Sequence, residues 1–216
     1  MKRTNNGQKS KKDKETMKKY RVNEIFYSLQ GEGYNTGRAA VFVRFAGCNL
    51  KCPFCDTAFT RYEELTAEEI LAQIANVQHS EFPSSASSEM KGFIVLTGGE
   101  PTLQVDETFI DLLHEAGYEV AMESNGTQMP PQKLDWLTVS PKQNVVVKQC
   151  NELKCIFDMQ GDVNDFGIKA DFYYLQPCDT GETARNHLII GQCIDFIKRH
   201  PRWRLSLQTH KLVGFK

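Results

Sequence analysis

Strand-forming runs alternate with helix-forming runs along most of this chain, and nearly every strand run ends in glycine or a polar cluster. AAVFVRFAG (39–47) is the near-continuous apolar run of a buried strand, and it leads straight into a cysteine-bearing loop. In TAEEILAQIANVQ, Thr66 and Glu69 form a capping box, and Ile70, Leu71, Ile74 and Val77 line one helical face. HSEFPSSASSEM (79–90) is a polar connector. GFIVLTGG (92–99) predicts a second strand, and DETFIDLLHEAG a second helix closed by Gly117. YEVAMES, LDWLTVS, NELKCIFD (151–158) and ADFYYLQP (170–177) predict four more strands. ETARNHLIIGQCIDFIKRH predicts a long helix with Leu188, Ile189, Cys193, Ile194 and Ile197 inward, and WRLSLQTH a last strand. Such alternation implies right-handed crossovers and a mainly parallel sheet, with sites assembled from loops at the C-terminal strand ends. At 216 residues the chain is short of the ~250 typical of a full eight-stranded barrel. The expected architecture is therefore α/β, an incomplete (β/α)6-type TIM barrel.

The formal net charge of −1 hides an asymmetry, because residues 1–19 carry eight Lys/Arg against two Asp/Glu. This basic stretch holds few apolar residues and reads as a disordered tail, leaving residues 20–216 as the folded domain. No apolar run approaches the length of a membrane span, and the N-terminal residues lack the hydrophobic region of a signal peptide, which predicts a soluble, cytoplasmic protein. In that setting seven cysteines speak for metal or redox chemistry rather than a disulfide framework. Cys150, Cys155, Cys178 and Cys193 are scattered through strand and helix runs and read as small buried hydrophobes. Trp136 and Trp203 read as core.

The other three cysteines are clustered in GCNLKCPFC, where Cys48, Cys52 and Cys55 have C-x3-C-x2-C spacing. Soft thiolates select zinc, copper(I) or iron–sulfur clusters. A structural zinc site needs a fourth ligand, which His79 or a distant cysteine could supply, and an ordinary ferredoxin cluster also takes four cysteines. Three cysteines leave one iron of a four-iron cluster for an exogenous ligand, the mark of a catalytic metal.

At this point the residues resemble a known family, the radical S-adenosylmethionine (SAM) enzymes, whose signature is this spacing with an aromatic, here Phe54, before the last cysteine. Thr97-Gly98-Gly99-Glu100-Pro101, one βα unit later, resembles that family's SAM-contacting GGEP segment. Glycines permit close backbone approach, and a carboxylate can accept from an ammonium. Alone, GGEP would read as a strand-to-helix turn. Ser28-Leu29-Gln30-Gly31-Glu32-Gly33, with FVRFAGCNLKCPFCDT and the C-terminal SLQTHK, is similar to one branch, the 7-carboxy-7-deazaguanine synthases, from about Tyr20 onward.

The resemblance implies a barrel of the radical SAM kind that contracts 6-carboxy-5,6,7,8-tetrahydropterin to 7-carboxy-7-deazaguanine with loss of ammonia, on the way to queuosine and related 7-deazapurines. It implies a 4Fe-4S cluster on Cys48, Cys52 and Cys55, SAM as source of a 5′-deoxyadenosyl radical, and Mg²⁺ on Thr57. Phe54, Cys55, Asp56, Gly98, Gly99, Glu100, Ser124, Asn125, Ser140, Pro141, Lys142 and Gln176 would then serve SAM. Leu29, Gln30, Gly31, Arg44, Thr97 and the terminal Lys216 would serve the pterin. His210 reads as a hydrogen-bonded structural histidine. By analogy the protein is a homodimer reduced by a flavodoxin-like donor, with no direct nucleic-acid or membrane partner. The rival readings are a glycyl-radical activating enzyme, against which LQGEG and CDT speak, and a non-catalytic zinc or cluster module gripping RNA with its basic tail.

Overall fold

The computed structural model describes residues 17–55, 61–81, 92–159 and 163–216. In chain order the elements are β1 (Tyr20–Leu29), β2 (Ala39–Phe45), β3 (Glu63–Leu65), α1 (Ala67–Glu81), β4 (Phe93–Gly98), a 3-10 turn (Pro101–Leu103), α2 (Glu107–Glu115), β5 (Glu119–Ser124), β6 (Trp136–Val139), β7 (Gln149–Phe157), β8 (Lys169–Pro177), α3 (Thr183–Arg199), β9 (Trp203–Leu205) and α4 (Thr209–Val213). One sheet takes them in the order β3-β1-β2-β4-β5-β6-β7-β8-β9. Every pair from β2 to β9 is parallel, whereas β1 runs antiparallel to both β2 and β3. This is an open partial barrel, in line with the expected α/β class, extended at one edge by two strands that the pattern does not predict.

Period-two alternation sorts the strand residues onto two faces. Val41, Val43, Phe45, Ile94, Leu96, Val120 and Met122 are buried in the main core with Ile70 and Ile74 of α1, Phe109, Ile110 and Leu113 of α2, and Ile189 and Cys193 of α3. Ala40, Phe42, Phe93, Val95 and Ala121 form a second, smaller cluster with Phe26 and Trp136 on the opposite face. On that face, two residues beyond Phe42 and Val95, Arg44 and Thr97 lie side by side in register. The inner face is thus apolar low down and polar at its C-terminal end, where a site belongs.

The connections depart from a regular barrel. Helices make the crossovers from β2 to β4, β4 to β5 and β8 to β9, but among the described residues those from β5 to β8 carry none. The apolar side chains of these short loops replace them: Val145, Val147, Val163, Phe166 and Ile168 pack on the core that helices would otherwise cover. Two further corrections apply. Leu188 is 62% exposed, because it lies about 100° around α3 from the Ile189 and Cys193 stripe. WRLSLQTH leaves the sheet at Leu205, since the Thr209 N–H and hydroxyl both donate to Gly31 O, at 3.0 and 2.8 Å, and start α4. Trp203 is core, while Trp136 is half-buried and stacks on Tyr34 with ring centroids 4.9 Å apart. The capping box forms as predicted, Thr66 N donating to Glu69 at 2.7 Å and Glu69 N to Thr66 at 3.3 Å. Residues 1–16 of the basic tail lie outside the described residues, and Lys18 bonds Asp106 at the start of α2.

Candidate active site

A cavity of about 910 Å³ opens on the polar end of the inner face. Cys48, Cys52, Phe54 and Cys55 enter it from the loop after β2, and Arg44 from β2 itself. Thr97, Gly98 and Gly99 reach it from the end of β4, Ser124 and Asn125 from the end of β5, Ser140 and Lys142 from the loop after β6, and Gln176 from β8. Leu29, Gln30 and Gly31 line it from the turn after β1, and Lys216 from the C-terminus. Glu100 and Pro141 are buried behind the cavity wall rather than lining it. Asp56 and Thr57 lie outside the described residues.

Gly98 and Gly99 weld this wall together. The Gly99 N–H donates to Phe45 O and the Glu100 N–H to Gly47 O, both at 2.9 Å. A Cβ at Gly99 would stand 1.9 Å from Gly47 O, and Gly98 has φ +116°, so both positions demand glycine. Glu100 is fully buried and accepts from the Thr102 N–H and hydroxyl, the Ser124 hydroxyl at 2.8 Å and the Asn125 N–H at 2.7 Å. Its carboxylate is therefore spent on tying the ends of β4 and β5 together.

The cavity floor carries Glu24, Glu123 and Lys154, which the motifs leave out, and Glu32 and Gln208, which lie within SLQGEG and SLQTHK but take no role in the resemblance. Gln30 Nε2 and the Thr97 hydroxyl each donate at 3.0 Å to opposite oxygens of Glu123. Lys154 Nζ is bonded to Glu32, whose other oxygen accepts from Gln208 Nε2 at 3.0 Å. Arg44 Nε donates to Glu24 at 2.9 Å, and Glu24 also pairs with Lys216 Nζ at 2.7 Å. His210 packs so tightly on Gly31 that a Cβ there would lie 2.5 Å from its Nδ1, so it lines the cavity while filling a structural position. Alternation within NELKCIFD does signal Glu152 and Lys154 on one face, and that polar stripe in a core strand was the available clue.

Burial sets the electrostatics. Burial, reinforced by Lys154, pushes the Lys142 ammonium down to about 8, and its Nζ donates to Ser140 O at 2.9 Å and Oγ at 2.7 Å. The Cys48 thiol is pushed up by burial, partly offset by the Leu50 N–H it accepts at 3.4 Å. Cys48, Cys52 and Cys55 lie on one short loop, none of them in a disulfide. Among the described residues no three ligand side chains already converge at metal distance. Donor type, spacing and a shared cavity wall are what fit these thiols to a three-cysteine cluster.

A family model described as the radical SAM superfamily matches residues 42–141, spanning the cysteine loop, the glycine turn and Ser140-Pro141. The chain is 45% identical to a 7-carboxy-7-deazaguanine synthase of Bacteroides thetaiotaomicron, over 91% of its own length and 98% of the relative's. The chain belongs to the 7-carboxy-7-deazaguanine synthase family. Relatives of the same name in Bradyrhizobium diazoefficiens and Nitratidesulfovibrio vulgaris are 40% and 42% identical over at least 90% of the chain. A crystal structure of QueE from Escherichia coli superposes with a TM-score of 0.64 at 28% identity, covering 89% of this chain and 95% of that one. Membership of the superfamily implies a 4Fe-4S cluster and SAM, and the open partial barrel agrees with both comparisons. Among the described residues, no helix is long and apolar enough to cross a membrane.

Proposed function

We propose that this cavity converts 6-carboxy-5,6,7,8-tetrahydropterin into 7-carboxy-7-deazaguanine with release of ammonia, in the biosynthesis of queuosine and related 7-deazapurines. The reading is carried by one observation: cysteine loop, glycine turn and a carboxylate-rich floor face the same space in a member of this family. A 4Fe-4S cluster on Cys48, Cys52 and Cys55, together with SAM, supplies single-electron chemistry and a hydrogen-abstracting radical. The chain supplies position and exclusion of water.

Gly98 and Gly99 offer backbone to the SAM amino acid end, flanked by Ser124, Asn125, Ser140 and Lys142 near the cysteines, while Gln176 borders the same pocket. Glu100 and Pro141 act from behind, holding strand ends in place. Arg44, its Nε fixed by Glu24, keeps its remaining N–H donors for the pterin carboxylate. Glu123, clamped from two sides, accepts from N–H groups of the pterin, beside Thr97, Gln30, Gly31 and Leu29. The terminal Lys216 is held close by the Ser28 hydroxyl, which donates to its main-chain oxygen at 2.6 Å. Mg²⁺ on Thr57, beside Asp56, is part of the same reading, because it favours oxygen ligands and would orient the substrate. So are a homodimer, a flavodoxin-like reductant, a cytoplasmic setting and a disordered basic tail ahead of one catalytic domain.

The test is anaerobic reconstitution with iron and sulfide, then reaction with dithionite, SAM, Mg²⁺ and the carboxytetrahydropterin. The expected result is 7-carboxy-7-deazaguanine, with ammonia released in equal amount. SAM cleavage without ring contraction would instead favour a protein-activating relative, and a colourless zinc protein would remove the radical chemistry altogether.

A further inference from the structure

Lys154 is the most buried basic side chain among the described residues, and no step described so far uses it. On β7 it alternates with Leu153 and Cys155, which face the core, so its side chain crosses the inner face. A lone ammonium there would shed its proton. Three carboxylates prevent this: Glu32 from the turn after β1, Glu123 from β5 at 3.7 Å, and Glu152 from its own strand. The other charged groups facing this cluster are Lys142, from the loop after β6, and His210, from α4.

We propose that Lys154 is a positioning residue for pterin recognition, its buried ammonium holding Glu32 and Glu123 aligned as acceptors at the cavity floor. The role holds only if the cavity takes a pterin, as proposed above. Each carboxylate already has acceptor capacity pinned by protein donors: Gln208 on Glu32, and Gln30 and Thr97 on Glu123. The remaining lone pairs are left for a ligand, and on Glu32 only while it stays deprotonated. Burial raises the proton affinity of Glu32 and Glu152, and Lys154 is the principal cation opposing it. Without Lys154, burial of Glu32 and Glu152 is opposed by too little positive charge, and both take up a proton more readily. An acceptor then becomes a donor facing N–H groups.

The experiment compares reconstituted wild-type enzyme with Lys154→Met across roughly pH 6 to 9, measuring kcat and KM for the carboxytetrahydropterin. It adds calorimetric binding of the pterin without reductant. The expected result is a KM and a dissociation constant raised about tenfold or more at neutral pH, with kcat changed less than about threefold. Both constants should recover toward wild type as pH rises and the carboxylate ionises again, whereas wild-type values stay flat. If the methionine variant does not fold, Lys154→Gln, which keeps a donor to Glu32 without the charge, is expected to give the same pH-dependent loss. An unchanged KM, or a raised KM that is constant across the range, overturns the assignment. Failure of the wild type to turn over the pterin would instead count against the proposed function.

Discussion

Replacing Gly99 by alanine tests whether the glycine turn and the cysteine loop are one rigid unit. The new Cβ would stand 1.9 Å from Gly47 O, 2.5 Å from Gly47 C and 3.2 Å from Cys48 N, all backbone atoms that no rotamer change can clear. The turn must retreat by about 1.5 Å or more to reach ordinary contact distance. That movement strains or breaks the bonds from Gly99 N–H to Phe45 O and from Glu100 N–H to Gly47 O. Two buried backbone bonds, each worth about 1 kcal/mol net and up to about 3 when the groups are stranded, put the loss at about 2–6 kcal/mol. In a chain of this length about 3 kcal/mol lowers the melting temperature by roughly 6–12 °C. Calorimetry on the apoprotein measures this, and iron content after reconstitution should fall too, because Cys48 follows the displaced Gly47. Gly191→Ala is the internal control. That site in α3 has open space around the added carbon, so the change should stabilise by up to about 1 kcal/mol. A Gly99→Ala protein that melts within about 2 °C of wild type and loads iron fully would refute the rigid coupling.

Cys52→Ala should abolish SAM cleavage and lower iron content while leaving the unfolding midpoint unchanged, since Cys52 contributes to neither core cluster; residual turnover would remove it from the ligand set. Glu100→Gln places an amide donor against donors, with Thr102 and Ser124 on one oxygen and Asn125 on the other, and should cost about 2–4 kcal/mol in urea unfolding. An unchanged midpoint would show that the carboxylate is not the tie between β4 and β5. Acid should weaken the fold through Glu32, for which burial raises the proton affinity but Lys154, Gln208 and His210 lower it further, leaving it below the ordinary 4.5. With the folded value depressed, the stabilisation is complete above the unfolded value and drains away as pH falls below 4.5 toward the folded one. Urea midpoints followed downward from neutral pH check the sign, and a slope unchanged by Lys154→Met would refute the cause.

The parallel strands and the helices were legible because apolar runs and helical period are local. AAVFVRF, GFIVLTG and TAEEILAQIANVQ each carry their own pattern, and the elements formed where those patterns lie. Most candidate site residues share one cavity for a related reason, since strands running in parallel bring their following loops to one end. β1 was not legible, because YRVNEIFYSL interleaves Arg21, Asn23 and Glu24 with its apolar residues and its register slips between Val22 and Glu24. The bulge shifts the alternation midway, so no single period describes the strand.

Illegibility of another kind applies to what closes the cavity. α4 is only five residues long and no side chain caps its start; a helix that short gains little from propensity. It is held by Gly31, some 178 positions away in sequence, whose carbonyl takes both donors of Thr209 while its missing side chain admits His210. The same separation hides the Glu32–Lys154 pair, 122 residues apart. Each half could be read alone, Glu32 in a glycine turn and Lys154 on the polar stripe of a core strand, yet neither predicts its partner. The buried cation of this chain is thus explained only when the fold carries the turn after β1 across the inner face to β7.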